Sequence, residues 1–522
     1  MKKISVLIGL TILSAWVVSW VGSSAAVGQD NAPKEQEGVE ALLRGPIHEA
    51  YATPESLNVK PSPIVPKKPP EPVPEMPPDQ KPDGSNVIWI GGYWAWEDEA
   101  ADFAWISGFW RDVPPGKRWV PGHWMPIEGG WQWSSGLWAG ETQTEVKYVP
   151  PPPPSVESGP SVVAPSADHV YSPGSWVFVQ QKYVWRPGFW LPCRANWVYV
   201  PAHYVWTPAG CIFVDGYWDY EFHRRGLLFC PIRFTANVWA RPGWRLLPRF
   251  VVHPDVFVGA LFVRIDFHRY YFGDYFGVKF NPFGFVPWVD YRLHKNIPEP
   301  LFHQYAWAHR TDVAFERDLR KLYVDRRTGV ALRPPHTIAD QERFLREIAA
   351  NKTVKVGTKT FNVANVAAAE RTLRLTQPLN KFEHKDVVLK PVTAAARADA
   401  IKRVEFHETV NKARTITETK ILKEATTVKS SEIHQVGKIP ALPMQFHAPA
   451  MITTPTNPTL PKHEERVIPK YEAPRPMKLG TKPLHGRVER QPMESVAWQL
   501  YISPRLLAVE NGGGVRRESF LL

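Results

Sequence analysis

"RWVPGHWMPIEGGWQWSSGLW", residues 118–138, sets five tryptophans among recurrent glycines, and what those rings do decides the fold. Aligned on itself and on its surroundings, the stretch resolves into a motif: aromatic, two residues, glycine, one residue, aromatic. It reads "WIGGYW" from Trp89, "WISGFW" from Trp105, "WVPGHW" from Trp119 and "WSSGLW" from Trp133, then "YSPGSW" from Tyr171, "WRPGFW" from Trp185, "YVPAHY" from Tyr199 and "FVDGYW" from Phe213. Starts fall 14 residues apart within each block, except that the step from Trp89 to Trp105 carries two more. A fixed period over eight copies is one structural unit repeated.

A 14-residue unit is too short for a pair of helices, and its central Pro or Gly breaks a helix, which leaves strands. Two arrangements fit. In one, Pro-Gly is a hairpin turn that sets Trp119 opposite Trp124. In the other, all six residues lie in one strand bent at a glycine bulge, with the tight turn in segments such as "EGG". Type II Pro-Gly turns twist hairpins poorly, so the bulged strand is the reading adopted, stacked as an antiparallel meander. The glycine position holds Gly in seven copies and Ala202 in "YVPAHY", which points to crowding by a neighbouring strand or ring as well as to backbone freedom.

All sixteen motif ends are aromatic: Trp89, Trp94, Trp105, Trp110, Trp119, Trp124, Trp133, Trp138, Tyr171, Trp176, Trp185, Trp190, Tyr199, Tyr204, Phe213 and Trp218. Burying one such ring stabilises by several kcal/mol, at roughly 25 cal/mol per Å² over about 150–250 Å². A thin meander is therefore expected to fill its core with indoles around crowded glycines such as Gly122. Trp96 and Trp131, two residues from Trp94 and Trp133 on the same strand faces, are the candidates for exposed, ligand-stacking rings. His123 and His203 stand where other copies have Tyr or Phe and read as flat-ring substitutes.

Motif and period resemble the WXXGXW-repeat proteins, a family of secreted bacterial envelope proteins. "YWDYEFHRRGLLFCPIRF", "VWARPGWRLLPRFVV" and "LFVRIDFHRYYFGDYFG" resemble the region that accompanies the repeats in large members, so the resemblance spans roughly residues 85–335. It implies export and a β-rich body, and brings no catalytic residues with it.

The remaining sequence frames these blocks. Lys2, Lys3, an apolar run from Ile4 to Val21 and small residues to Ala26 read as an export signal over 1–26, with an uncleaved anchor as the alternative. Pro-rich segments at 27–84 and 141–168 read as a disordered linker and a spacer around a first block at 85–140. A second block with an aromatic β extension runs over 169–335, a helical region over 336–430, and a disordered, basic, Pro-rich tail over 431–522. In the helical region Asp340 is the expected cap of "QERFLREIAAN", and a helical hairpin or short coiled segment is expected beyond it. Cys193, Cys211 and Cys230 allow one disulfide in an oxidising compartment and lack zinc-site spacing. Asp266, His268 and Asp274 are irregularly spaced among aromatics and read as hydrogen-bonded residues.

Residues 341–522 carry 30 Lys and Arg against 18 Asp and Glu, an excess of 12 that equals the +12 of the whole chain. The β part is thus neutral and the C-terminal part basic. Export directs that charge toward polysaccharides, other anionic envelope polymers or a membrane surface rather than nucleic acid. No GxGxxG, Walker, HExxH or GxSxG pattern is found, and no catalytic residue, metal or cofactor is assigned. The chain is therefore expected to be mainly β, with antiparallel aromatic meander repeats in two blocks ahead of a partly helical, partly disordered basic region. Its expected role is that of a non-enzymatic exported cell-envelope structural or interaction protein. A glycan-binding module using exposed Trp is the alternative, and a wall-polymer hydrolase the lesser one.

Overall fold

A computed structural model describes residues 36–291, 299–425 and 435–446. The expected signal and most of the expected tail lie outside them. Among the described residues the fold is mainly β and antiparallel, and no helix is long and apolar enough to cross a membrane.

The eight motif copies form four long hairpins, two copies to each. In the second, Lys117–Val120 pairs with Leu137–Gly140, and His123–Ile127 pairs with Gly130–Ser134 around a turn at Glu128 and Gly129. Trp119 faces Trp138 and Trp124 faces Trp133, so Pro-Gly is not the hairpin turn. Nor is it a bulge. From the outer pair to the inner pair both strands advance by five residues, so no residue is inserted and the register holds. The ladder simply stops for two residues on each strand, Pro121-Gly122 opposite Ser135-Gly136, and resumes. We call this gap the waist.

The other hairpins repeat the plan: Trp89 faces Trp110 and Trp94 faces Trp105, Tyr171 faces Trp190 and Trp176 faces Trp185, Tyr199 faces Trp218 and Tyr204 faces Phe213. The longer step between Trp89 and Trp105 also finds its cause. Glu97 and Asp102 close a four-residue turn, where Val179 and Lys182, or Thr207 and Gly210, close two-residue turns.

The eight facing pairs are all tilted or edge-to-face, with centroids 5.1–5.4 Å apart. Such geometry contributes about 0.5–1.5 kcal/mol per pair beyond area burial. Seven of the eight opening aromatics lean over a motif glycine of the opposite strand, and the remaining one, Phe213, faces the strand that carries Ala202 instead. A Cβ on Gly122 would lie 2.5 Å from Trp133 Cζ2, one on Gly136 2.4 Å from Trp119 Cζ2, and one on Gly216 2.2 Å from the Tyr199 hydroxyl. None of the motif glycines has positive φ, so the ring, not the dihedral, excludes a side chain.

Several expectations about organisation change. Residues 36–84 are not a disordered linker: Leu43, Ile47, Tyr51 and Val65 are buried, Ile64–Val65 pairs with the second hairpin, and Val39–Ala41 joins the sheet of the first through Ile232–Phe234. The spacer and the start of the tail are ordered together, because Glu145–Tyr148 pairs with Gln435–Lys438. The two blocks share one core. Arg111 on the first hairpin forms a buried bidentate pair with Asp219 on the fourth at 2.7 Å, and Ser135 N–H donates to the Trp206 carbonyl. In the helical region Thr337, not Asp340, caps Ile338–Asn351, since its hydroxyl accepts the Asp340 N–H; Ala394–Ala425 is a single helix rather than a helical hairpin.

Gly122→Ala is therefore expected to destabilise by more than Gly129→Ala. The first drives a methyl into Trp133 and Glu49, an overpacking cost of about 1–3 kcal/mol or more. The second places alanine at φ +86° in open space, costing about 1 kcal/mol. Urea unfolding of both variants checks the order, and the reverse ranking would show that backbone conformation governs the motif glycine.

Candidate functional site

Interrupting a ladder inside a core strands peptide N–H and C=O groups, and here they are answered by charge. At the second waist Gly122 and Gly136 N–H both donate to Glu49 Oε1 at 3.2 Å, and Trp133 Nε1–H donates to Oε2 at 3.1 Å. At the first, Gly92 and Gly108 N–H donate to Glu75 Oε2 at 3.2 and 2.8 Å, and Trp105 Nε1–H to Oε1 at 3.3 Å. At the third, Glu157 accepts Gly174 N–H and the Tyr171 hydroxyl. Each carboxylate comes from a segment whose composition reads as linker, and each ends the same short pattern, P-x-x-E: "PIHE" at 46–49, "PVPE" at 72–75 and "PSVE" at 154–157. That pattern is the signal that composition concealed. The fourth waist uses its own motif residue, Asp215, for Gly216 N–H.

The carbonyl side is answered as well. Arg414, on the helix Ala394–Ala425, donates to the Pro121 and Ser135 carbonyls at 2.7 and 3.2 Å and pairs with Glu418. Glu418 accepts the Ser134 and Tyr148 hydroxyls and lies 3.3 Å from His123 Nε2. His48 Nε2–H donates to the Gly91 carbonyl at 3.2 Å while Nδ1 accepts Ala50 N–H.

Between the first and second waists lies a cavity of about 350 Å³. Tyr93, Trp94, Trp124 and Trp131 supply rings, residues 68–75 cross one side, and Val404, His407, Glu408 and Asn411 of the long helix close another. Burial shifts its ionisable groups. It pushes Glu75 up to about 7 against the pull of its N–H donors, and raises Glu49 despite Arg269. It pushes His48 and His407 down to about 3, so both are neutral at pH 7. Glu418 goes the other way, to about 2, because Arg414 and His123 outweigh its burial. The site is thus an aromatic chamber with neutral imidazoles, whose Glu49 and Glu75 carboxyls already hold three donors each.

The two rings singled out in sequence part company. Trp96 is buried, donating to Asp98 Oδ1 at 2.6 Å and packing edge-on against Phe103, so it is no exposed platform. Trp131 is half-buried and faces the cavity. On the third hairpin Trp176, Trp185 and Trp190 are likewise half-buried. The three cysteines form no disulfide. Cys230 is hydrogen-bonded to the Thr376 hydroxyl, and Cys193 Sγ lies 3.6 Å from His303 Nε2 with its thiol pushed up to about 11 by burial. Asp266, His268 and Asp274 do not converge on one another: Asp266 is exposed beside Lys60, and Asp274 pairs with His336 at 2.6 Å.

With the geometry in hand, comparison with known proteins becomes informative. A family described as WXXGXW repeat (2 copies) matches residues 84–111, the first hairpin with both its strands, so the chain carries that repeat and its two copies are two arms of one hairpin. No curated protein and no solved structure matches the chain.

Two outcomes follow. Glu49→Ala leaves two buried N–H groups and an indole N–H unanswered and is expected to destabilise by about 2–5 kcal/mol in urea unfolding, more than Glu128→Ala at the exposed turn of the second hairpin. His407, depressed by burial and by Arg403, Arg118 and His48, is neutral when folded and protonates more readily when unfolded, so its contribution is complete above pH 6.5 and is lost as pH falls toward 3. His407→Asn is expected to flatten the acid limb of stability against pH by about 1.4 kcal/mol per pH unit in that window.

Proposed function

We propose that this chain is a non-enzymatic structural or interaction protein of the cell envelope, exported through its N-terminal signal, with the basic C-terminal region contacting anionic envelope polymers. The observation that carries the reading is how the motif rings are used. Every one of the sixteen is buried or half-buried, leaning on a facing ring, so the repeat builds a rigid body rather than displaying indoles. The buried carboxylates at the cavity hold backbone N–H groups, a bracing role that argues against their serving as an acid/base pair.

A second reading has its own observation. The cavity between the first two waists joins half-buried Trp124 and Trp131 to polar His407, Glu408 and Asn411, a mixture suited to a sugar ring stacking on one face and hydrogen-bonding at its edge.

The readings separate on the full chain. For the structural reading, tryptophan emission is expected to be blue-shifted, resistant to iodide and unchanged by neutral polysaccharides. Acidic polysaccharide binding should fall as salt rises and disappear when residues 447–522 are removed. Saturable emission shifts with a neutral oligosaccharide, abolished in Trp131→Ala, would establish the glycan reading instead.

A further inference from the structure

His407 lines a second, smaller cavity besides the aromatic chamber, about 20 Å³ in volume, where the second hairpin meets the long helix and the segment ending at Phe446. The charged residues around it are three bases and one acid. Lys117 and Arg118 come from the strand Lys117–Val120, Arg403 from the helix Ala394–Ala425, and Glu141 stands opposite them. Lys117 Nζ is spent on the Tyr217 ring, 4.6 Å from its centroid. The two guanidiniums remain.

Among the described residues neither guanidinium is hydrogen-bonded to an acid. Arg118 is 3% exposed; its Nη2–H donates to the Gln143 carbonyl at 2.6 Å, while Nε and Nη1 are buried and make no hydrogen bond. Arg403 is 7% exposed; it stands over the Phe446 ring at 4.1 Å, and the half-exposed Asp399 carboxylate is 3.8 Å away, beyond hydrogen-bond reach. The contrast with their neighbours is plain. Arg111 on the first hairpin and Arg414 on the same helix are as deeply buried, and each has a carboxylate within 2.9 Å. An arginine stays charged inside a protein, and a buried charge without a partner is strongly unfavourable. Burial lowers Arg118 with nothing to oppose it, and lowers Arg403 to about 10 against the pull of Asp399, so the surrounding side chains do not balance the pair. The arrangement calls for one negative charge.

Size restricts the choice of anion. A buried water needs roughly 10–15 Å³ of such space, so about 20 Å³ admits an ion of one atom and excludes sulfate, phosphate or a sugar acid. We propose that this cavity is a site for one halide-sized anion, chloride, held between Arg118 of the second hairpin and Arg403 of the long helix. The ion accepts N–H groups from both guanidiniums, bonds of the stronger, charge-assisted kind. It thereby fastens the helix to the hairpin about three turns before Arg414 engages the waist.

The test uses the full chain in sodium gluconate, exchanged for sodium chloride at constant ionic strength so that general screening is unchanged. Chloride NMR is expected to show line broadening that saturates at one site per chain, and the melting temperature to rise by about 2 °C. Arg118→Gln and Arg403→Gln should each weaken the saturable component by at least about tenfold, whereas Arg317→Gln, exposed beside Asp318, should leave it unchanged. Circular dichroism of the chloride-free variants separates lost binding from lost folding. A crystal of the wild-type chain in sodium bromide needs no variant and should give an anomalous peak between the two guanidiniums. Broadening that never saturates, wild-type affinity in both variants, or a bromide-soaked crystal with no peak in this cavity would overturn the site.

Discussion

A gap in a β ladder, two residues deep on each strand, is the constraint from which the rest of this structure follows. At the waist the paired aromatics crowd so closely over the opposing glycines that a Cβ has no room, and the backbone groups there cannot pair across the hairpin. Buried amides without partners cost about 1–3 kcal/mol each. A carboxylate answers several at once, since its two oxygens accept two glycine N–H groups and an indole N–H, and charge-assisted bonds of this kind are the stronger sort. The repeat therefore brings with it a demand for an acid, met from outside the motif at the first three waists and by the motif's own Asp215 at the fourth.

That demand explains why the Pro-rich segments are ordered. Proline supplies no N–H to a ladder and holds an extended course, so a strap of "PVPEMPP" type can cross a hairpin without competing for its backbone and still deliver a glutamate. Supporting contacts repeat as well. Trp94 Nε1–H donates to the Glu71 carbonyl beside Glu75, and Trp176 Nε1–H donates to the Pro154 carbonyl beside Glu157. Hairpin and strap form one cooperative unit, and a fragment cut at residue 85 would lose the acids for the first two waists.

What was legible in the sequence is what a short-range pattern encodes. The strand period, the turn at Glu128 and Gly129, and a ring pressed against the motif glycine all follow from spacing and residue type. Register across the waist did not, because a bulge and an in-register gap share the same local composition. Neither did the role of the straps: low hydrophobicity and many prolines signal disorder when burial is the measure, yet these segments are held by a few buried side chains and one ionic anchor. The Trp96 reading failed for a related reason. Strand alternation correctly sets it beside Trp94, but that face turns inward, and the Asp98 carboxylate at the hairpin turn satisfies its indole N–H.

The long helix Ala394–Ala425 carries the same logic to its end. Its buried positions include Ala400, Arg403, His407, Val410, Arg414, Glu418 and Ile421, which recur at spacings of three and four as any docked helix face does. Yet four of the seven are ionisable, so a hydrophobic stripe is invisible in "IKRVEFHETVNKARTITETKI". A buried ion pair such as Arg414 and Glu418 adds little net stability over an apolar pair of equal volume, because desolvation offsets the attraction. What it adds here is specificity of place. The guanidinium fits only where the Pro121 and Ser135 carbonyls point outward together, and the carboxylate only where Ser134, Tyr148 and His123 converge. An apolar helix could slide along the hairpins by a turn, whereas this one is keyed to a single waist.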